Sequence, residues 1–305
     1  MTGRLVHTGQ VIIDLVMRVP AVPAPGGDML ASETGLFPGG GFNVMAAAAR
    51  SGARVVYAGA HGTGRFGDQA RAALAAEGIE TAQQPNAAQD TGVCVALVDA
   101  TGERTFVTGT GAEGRLLPDQ LSSVDTEAED LVYVTGYSFM HESNRAALRD
   151  WLPGLEGPRV LFDPGPLATE AVLTEILSTV DILSANAAEA RSLSGETDIP
   201  TAAKTLLSRL KPGSAVVIRN GAEGCVLAHD GNIAVVPGFP VTPVDTNGAG
   251  DTHCGVLAAA LLAGADLATA AVRANAAAAL SVLETGPATA PSAEQIDRFL
   301  ASAST

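Results

Sequence analysis

The sequence predicts an α/β protein: a mostly parallel sheet with helices on both faces, three layers deep, joined by a small separate β sheet. Three observations predict it. From residue 130 onward, short runs rich in Val, Ile and Leu alternate with helical stretches, the order expected of strand–helix–strand units. An apolar hairpin at 91–108 breaks that alternation and reads as a sheet of its own. The chain has 305 residues, 47% of them hydrophobic and only 4% aromatic, with Ala and Gly prominent, which suits closely packed helices in one domain over 1–305.

The elements follow in order. Residues 5–16 are apolar and rich in Val and Ile and read as a strand. The Pro-rich stretch 20–27 is a loop, and 29–37 a short strand. Gly39, Gly40 and Gly41 lead into an Ala-rich helix at 43–51 that stops at Gly52. A buried strand at 54–60 precedes a helix at 68–77 stopped by Gly78. In the hairpin, Asp99 and Gly102 mark the turn. Strands are expected at 130–135, 159–163, 182–185, 215–219 and 224–229, and helices at 143–151, 167–178, 187–194 and 201–210. Beyond Asp245 the chain is mostly helical, with only 301–305 frayed.

Charge narrows the function. The count of 18 Lys and Arg against 33 Asp and Glu gives a net charge of −15. Lys204 and Lys211 are the only lysines, so nucleic acid is excluded as a partner. Such a chain must build any anion site from backbone amides and a metal ion. Cys94, Cys225 and Cys254 are too few and too scattered for a disulfide framework. The start lacks the pattern of a secretory signal. The apolar region 256–283 is interrupted by Asp266 and Arg273, so it reads as a buried helix pair rather than a membrane span. The reading is a soluble, cytoplasmic protein.

The densest chemistry lies in Asp245-Thr-Asn247-Gly248-Ala249-Gly250-Asp251, followed by an apolar helix. Small residues let backbone N–H groups approach a ligand. The helix start adds unpaired donors and roughly half a positive charge. Together they make an anion site without lysine. Asp251, in the first turn, is either a helix-capping carboxylate or a base that takes a proton from an attacking hydroxyl.

This stretch resembles the C-terminal signature of the ribokinase (PfkB) family, D-T-x-G-A-G-D. The resemblance implies a ribokinase-like fold and an ATP-dependent carbohydrate kinase. It makes Asp251 the catalytic base and the Gly248, Ala249 and Gly250 amides the hole for the γ-phosphate. His253 stands where the family has an aromatic residue, and is expected to make a structural hydrogen bond. The resemblance runs along nearly the whole chain. Asp14, ending the first strand, is similar to the family's ligand for substrate hydroxyls. Gly39, Gly40, Gly41 and Asn43 resemble the N-terminal signature that holds the sugar, although Pro38 replaces its first glycine. Segments 11–37 and 91–108 resemble the lid, through which a homodimer is expected, and Tyr137 falls at a substrate-shaping position.

Asn186 and Glu189 match N-x-x-E, implying Mg²⁺ held through water by Glu189, though the same spacing is a common helix start. Arg219, Gly221 and Gly224 fall in the nucleotide loop and Asn275 near the adenine. Asp245 and Asn247 are candidates for a monovalent cation such as K⁺. The implied ligands are ATP, Mg²⁺ and a sugar or nucleoside. Phe42, Tyr137 and Phe139 are available as a floor for a nucleobase.

Other classes fit less well. Gly109 to Gly114 reads G-x-G-x-x-G, but it follows a hairpin rather than a first βα unit, which argues against a dinucleotide-binding dehydrogenase. Neither lysine follows a glycine-rich loop, so a P-loop kinase is excluded. A non-catalytic sugar or nucleotide sensor on the same fold has no need of Asp251.

Overall fold

The β-rich N-terminus does not form one strand but two. In the computed structural model, which describes residues 3–165 and 174–303, β1 (Arg4–His7) and β2 (Val11–Arg18) belong to different sheets. Gly9 sits at the break, where a Cβ would lie 2.7 Å from both the His7 ring and the Thr135 methyl. A single strand over 5–16 is therefore corrected: no side chain fits at the crossing.

Among the described residues the large sheet has nine strands. β1 lies between β4 (Arg54–Tyr57) and β8 (Leu131–Thr135), all parallel. β9 (Arg159–Asp163), β10 (Ile182–Asn186) and β11 (Ala215–Arg219) continue in parallel. β12 (Gly224–His229) and β13 (Asn232–Pro237) close that end antiparallel. Their turn, Asp230–Gly231, has φ of 48° and 75°, a two-residue hairpin turn that suits the strand twist. β13 is absent from the expected strands, because its mixed, largely exposed sequence carries no strand pattern. β5 (Glu80–Thr81) is the other edge.

Successive strand residues serve opposite cores. Leu5, Leu131, Tyr133 and Leu161 face one cluster; Val6, Val132, Val134 and Phe162 face the other. Helices cover both faces, as expected for parallel strands. The first face carries α1 (Gly41–Arg50), α2 (Arg65–Ala76) and two helices from the C-terminal third, Ala249–Leu262 and Leu267–Ser281. The second carries α3 (Pro118–Ser122), α4 (Glu142–Trp151), α5 (Ala187–Ser194) and α6 (Ile199–Leu207). Ala249–Leu262 is α7, Leu267–Ser281 is α8, and Ala293–Ala303 is α9. Residues 301–303, expected frayed, complete α9. The helix expected at 167–178 lies largely outside the described residues.

The second sheet has the order β3 (Glu33–Gly40), β2, β6 (Val93–Val98), β7 (Arg104–Gly109). It joins the two segments foreseen at 11–37 and 91–108, with β3 extending to Gly40 rather than stopping at 37. Residues 105–109 are exposed, so this sheet stands off the main body.

Candidate active site

Polar side chains gather where the parallel strands end. Asp163, Asn186 and Arg219 are the last residues of β9, β10 and β11, and Thr135 ends β8. Register sets Thr135 beside Asp163 and Asn186 beside Arg219. Ligands of open α/β sheets bind at this carboxyl edge.

The N-termini of α1 and α7 also reach this edge, brought together by small residues. A Cβ on Gly255 would lie 2.3 Å from the Val44 carbonyl oxygen, so only glycine lets α7 approach α1 this closely. The approach joins the two signature segments: the Asn43 amide donates to Asp251 Oδ2 at 2.9 Å. Gly248, the N-cap of α7, has φ of 73°. Burial pushes the Asp251 carboxyl up to about 6; Asp163 adds to this, while the Asn43 bond and Arg219 oppose it.

Asp14 approaches from the small sheet. A Cβ on Gly39 would lie 2.1 Å from Asp14 Oδ2, so the glycine makes room for the carboxylate. Gly40, at φ 62°, is the N-cap of α1, and the Gly41 N–H donates to the Gln10 carbonyl at 2.7 Å. A Cβ on Gly41 would strike the His7 ring at 2.2 Å. Burial lifts Asp14 to about 6, with the Asp251 charge adding to it. The Asn43 side-chain oxygen, Oδ1, is buried and has no partner. The structure thus brings Asp14, Asn43 and Asp251 to one place.

Behind them lies a buried network that the sequence did not reveal. Asp163 Oδ2 accepts from the Tyr133 hydroxyl at 3.2 Å and pairs with Arg219 Nη2 at 3.3 Å. Arg219 also pairs with Glu189 at 3.7 Å and donates to Ser184 Oγ at 2.6 Å. The available signal was positional: Asp163 ends a parallel strand before Pro-Gly-Pro. Asp14, expected at a strand end, lies instead inside β2, which runs on to Arg18. Tyr137 lies outside this network, 45% exposed, its ring near Gly165. Burial raises its hydroxyl's pKa, and the charges of Asp251, Asp163 and Glu189 add to the rise.

The N-x-x-E motif is a reciprocal capping box. The Glu189 N–H donates to Asn186 Oδ1 at 2.9 Å and the Asn186 N–H to Glu189 Oε2 at 2.8 Å. Gly221, at φ 59°, faces open space. Gly224 is instead pressed on β13, where a Cβ would meet the Val236 oxygen at 2.2 Å. Asn275 is buried and both amide hydrogens are spent, on the Val236 and Pro237 carbonyls at 3.1 Å each.

The His253 ring is buried beside Asn275, with neither nitrogen inside full hydrogen-bond geometry. The Asn275 amide hydrogens go to carbonyls, and its side chain still favours the protonated ring. Burial, with the Arg219 charge adding to it, outweighs Asn275 and pushes His253 down to about 3, so the ring is neutral. Phe42 and Phe139 are core residues at 4% exposure each, which leaves Tyr137 alone of the three rings considered for a nucleobase floor.

Asp245 joins the small sheet to the loop before α7. Its carboxylate pairs with Arg104 of β7 and accepts from the Asn247 N–H at 2.8 Å and the Gly286 N–H at 3.2 Å. Burial would raise this carboxyl, but the two backbone donors and Arg104 outweigh it and hold it low. Among the described residues, no cluster of three or more His, Cys, Asp or Glu is arranged to hold a metal ion by itself. No described helix is long and apolar enough to cross a membrane. A cavity of about 350 Å³ lined by Arg191, Asp198, Asn220 and Glu223 contains none of the Gly248–Asp251 residues.

The family model for pfkB family carbohydrate kinases matches residues 2–294. Over 306 aligned residues the chain is 31% identical to the uncharacterised sugar kinase YegV of Escherichia coli (strain K12), covering 94% of this chain and 91% of that one. Its fold is similar to the crystal structure of ribokinase from Thermotoga maritima, with a TM-score of 0.80, 26% identity and coverage of 98% and 99%. It is also similar in fold to the aminoimidazole riboside kinase of Salmonella enterica, complexed with aminoimidazole riboside and an ATP analogue (TM-score 0.81, 23% identity, coverage 97% and 100%).

Proposed function

The chain belongs to the pfkB family of carbohydrate kinases, and from that premise we propose that it moves the γ-phosphate of ATP onto a hydroxyl of a small sugar or sugar-like substrate, with Asp251 as general base. One observation carries this reading: the Asp251 carboxylate stands at the N-terminus of α7, held by Asn43, with Asp14 close enough for its charge to be felt. Asp14 and the unpartnered Asn43 oxygen would accept hydroxyl hydrogens of the sugar. Asp251 would take the proton of the hydroxyl that attacks. The Gly248, Ala249 and Gly250 amides would hold the γ-phosphate. The small sheet acts as the lid, excluding water from the transferred group.

Mg²⁺ neutralises the phosphate charge in such transfers. Glu189 would hold it through water, since the carboxylate is already engaged with Asn186 and Arg219. The Salmonella kinase's riboside and ATP-analogue ligands support ATP as donor and keep a nucleoside among the acceptors. Burial of Phe42 and Phe139 favours a sugar. The test is ADP release with Mg-ATP against pentoses, hexoses, sugar acids and nucleosides, with EDTA and Asp251→Asn as controls. Release that persists in either control sinks the reading.

The pH dependence follows from the two carboxyls. Both must be ionised, Asp251 to accept a proton and Asp14 to accept hydroxyl donors. Burial sets both near 6. Activity is therefore present above this value and lost as pH falls through it. The profile of kcat/KM should show an acid limb near pH 6; a limb near 4 would mean that neither group is desolvated in the working enzyme.

A K⁺ ion at Asp245 and Asn247 would rely on backbone carbonyls, because Arg104 and two N–H groups already occupy the Asp245 carboxylate. Arg104→Met removes the competing charge. K⁺, titrated against tetramethylammonium at constant ionic strength, should then stimulate the variant more than the parent. Equal stimulation would remove the Asp245 side chain from any cation site.

A further inference from the structure

The geometry points to Arg219 as a positioning residue for phosphoryl transfer: its guanidinium, clamped beneath Gly250 by Asp163, Glu189 and Ser184, is the fixed positive charge of the γ-phosphate site. The inference rests on the kinase reading above. It gives Arg219 a different part from a surface contact in a nucleotide loop.

The first ground is placement. A Cβ on Gly250 would lie 3.7 Å from Arg219 Nε and 4.0 Å from Nη2. Gly250 has no side chain, so only backbone separates the guanidinium from the loop proposed to hold the phosphate.

The second ground is fixation. The side chain is 12% exposed. Nη1 donates to Ser184 Oγ at 2.6 Å, to the Ser184 carbonyl at 3.3 Å and to Cys254 Sγ at 2.9 Å. Nη2 pairs with Asp163 at 3.3 Å and with Glu189 at 3.7 Å. A charge held this way does not reorganise when negative charge develops nearby, which is the condition for strong electrostatic stabilisation.

The third ground is charge. Asp163, Glu189 and Asp251 converge on this edge, and a phosphate entering it meets mostly carboxylates. Both lysines lie elsewhere: Lys204 is on α6, and Lys211 pairs with Asp181 at 2.8 Å. Arg104 is taken by Asp245. Arg219 therefore does in this chain what a lysine does in a P-loop, from below the loop rather than within it.

The groups that interact with Asp251 are Asn43 on α1, Asp14 on β2, Asp163 on β9, Arg219 on β11, the neighbouring Cys254, Tyr133 on β8 and Tyr137 just beyond it. Removing Arg219 removes the one cation among them, so the acid limb of turnover should move to higher pH.

The experiment compares the full chain with Arg219→Lys and Arg219→Met. Removing one partner of a buried pair strands the other charge. Arg219→Met is therefore also made with Asp163→Asn, which leaves the net charge of the pocket unchanged. Calorimetry of Mg-ATP and Mg-ADP needs no sugar. The ATP-to-ADP affinity ratio is expected to fall about 10-fold in both Met variants, the loss of roughly one charge-assisted contact, and to recover partly in Lys.

With a substrate in hand, Arg219→Met should shift the acid limb upward and lower kcat more than it changes the sugar's KM. A folded Met variant with an unchanged ATP-to-ADP ratio overturns the inference while leaving the kinase intact. An equal loss in Lys and Met that tracks their melting temperatures makes Arg219 structural only and also overturns it. ATP binding with no acceptor in the screen tells against the proposed substrate class alone. No ATP binding by the parent overturns both readings.

Discussion

Asp251→Asn is expected to lose at least ~10²-fold in turnover, the lower end of a general-base contribution, while still binding Mg-ATP. Its melting temperature at neutral pH should not fall. The second half of this result separates a base from a helix cap. A carboxylate that serves the helix stabilises it, and its replacement costs stability. Asp251 is instead partly buried, and desolvation lifts its pKa from 3.8 to about 6.

A carboxyl raised in the folded state favours the fold in its protonated form. That contribution is full below the unfolded value and is lost as pH rises through about 6. At neutral pH the ionised side chain therefore costs stability, on the order of 2–3 kcal/mol at about 1.4 kcal/mol per pKa unit. Asn removes the charge and keeps an oxygen to accept from the Asn43 amide, now 2.9 Å from Asp251 Oδ2. A stable but inactive variant identifies a group kept for chemistry. An active one removes Asp251 from the mechanism, and an unfolded one makes it a cap.

Legibility followed the physics of each feature. Val, Ile and Leu runs marked β8 to β12, because strands buried on both faces must be apolar throughout. β13 alternates weakly and five of its six residues are exposed, so no periodic signal marked it. The fracture between β1 and β2 depends on what Gly9 touches, His7 and Thr135, and so on a tertiary crossing invisible in local sequence.

The candidate site divides in the same way. Asp14, the glycines before Asn43 and the loop ending in Asp251 are contiguous motifs, and the structure gathers them. The network of Tyr133, Asp163, Ser184 and Arg219 comes from separate strands. It exists only through the strand order β8–β9–β10–β11, which no single segment encodes. Asn275 was hard to read for a related reason: a polar residue on an Ala-rich helix looks the same whether it faces a ligand or gives its amide hydrogens to a neighbouring backbone, as Asn275 does to β13.

Gly248→Ala should lower kcat by about 10²-fold, against little change for Gly264→Ala. The two glycines share a left-handed conformation, φ 73° and 87°, so the strain of adding a side chain is similar, about 1–2 kcal/mol. Their surroundings differ. At Gly264 the new methyl meets nothing within 4 Å. At Gly248 it would lie 2.0 Å from the Pro287 carbonyl oxygen, a backbone atom that no rotamer can move aside.

Ordinary contact requires more than 3 Å, so the loop or the Pro287 segment must shift by about an ångström, and a misplacement of that size costs on the order of 10²-fold in rate. The Thr252 N–H bonds to the Gly248 carbonyl at 2.8 Å, so the shift is passed into the first turn of α7, where Asp251 lies. Measuring kcat and melting temperature for both variants separates position from strain. Equal losses of stability with unequal kcat would place the effect in the geometry of the loop. Equal kcat in both would mean that the N-cap of α7 can move without harm, and that the Gly248–Gly250 amides are not the anion hole.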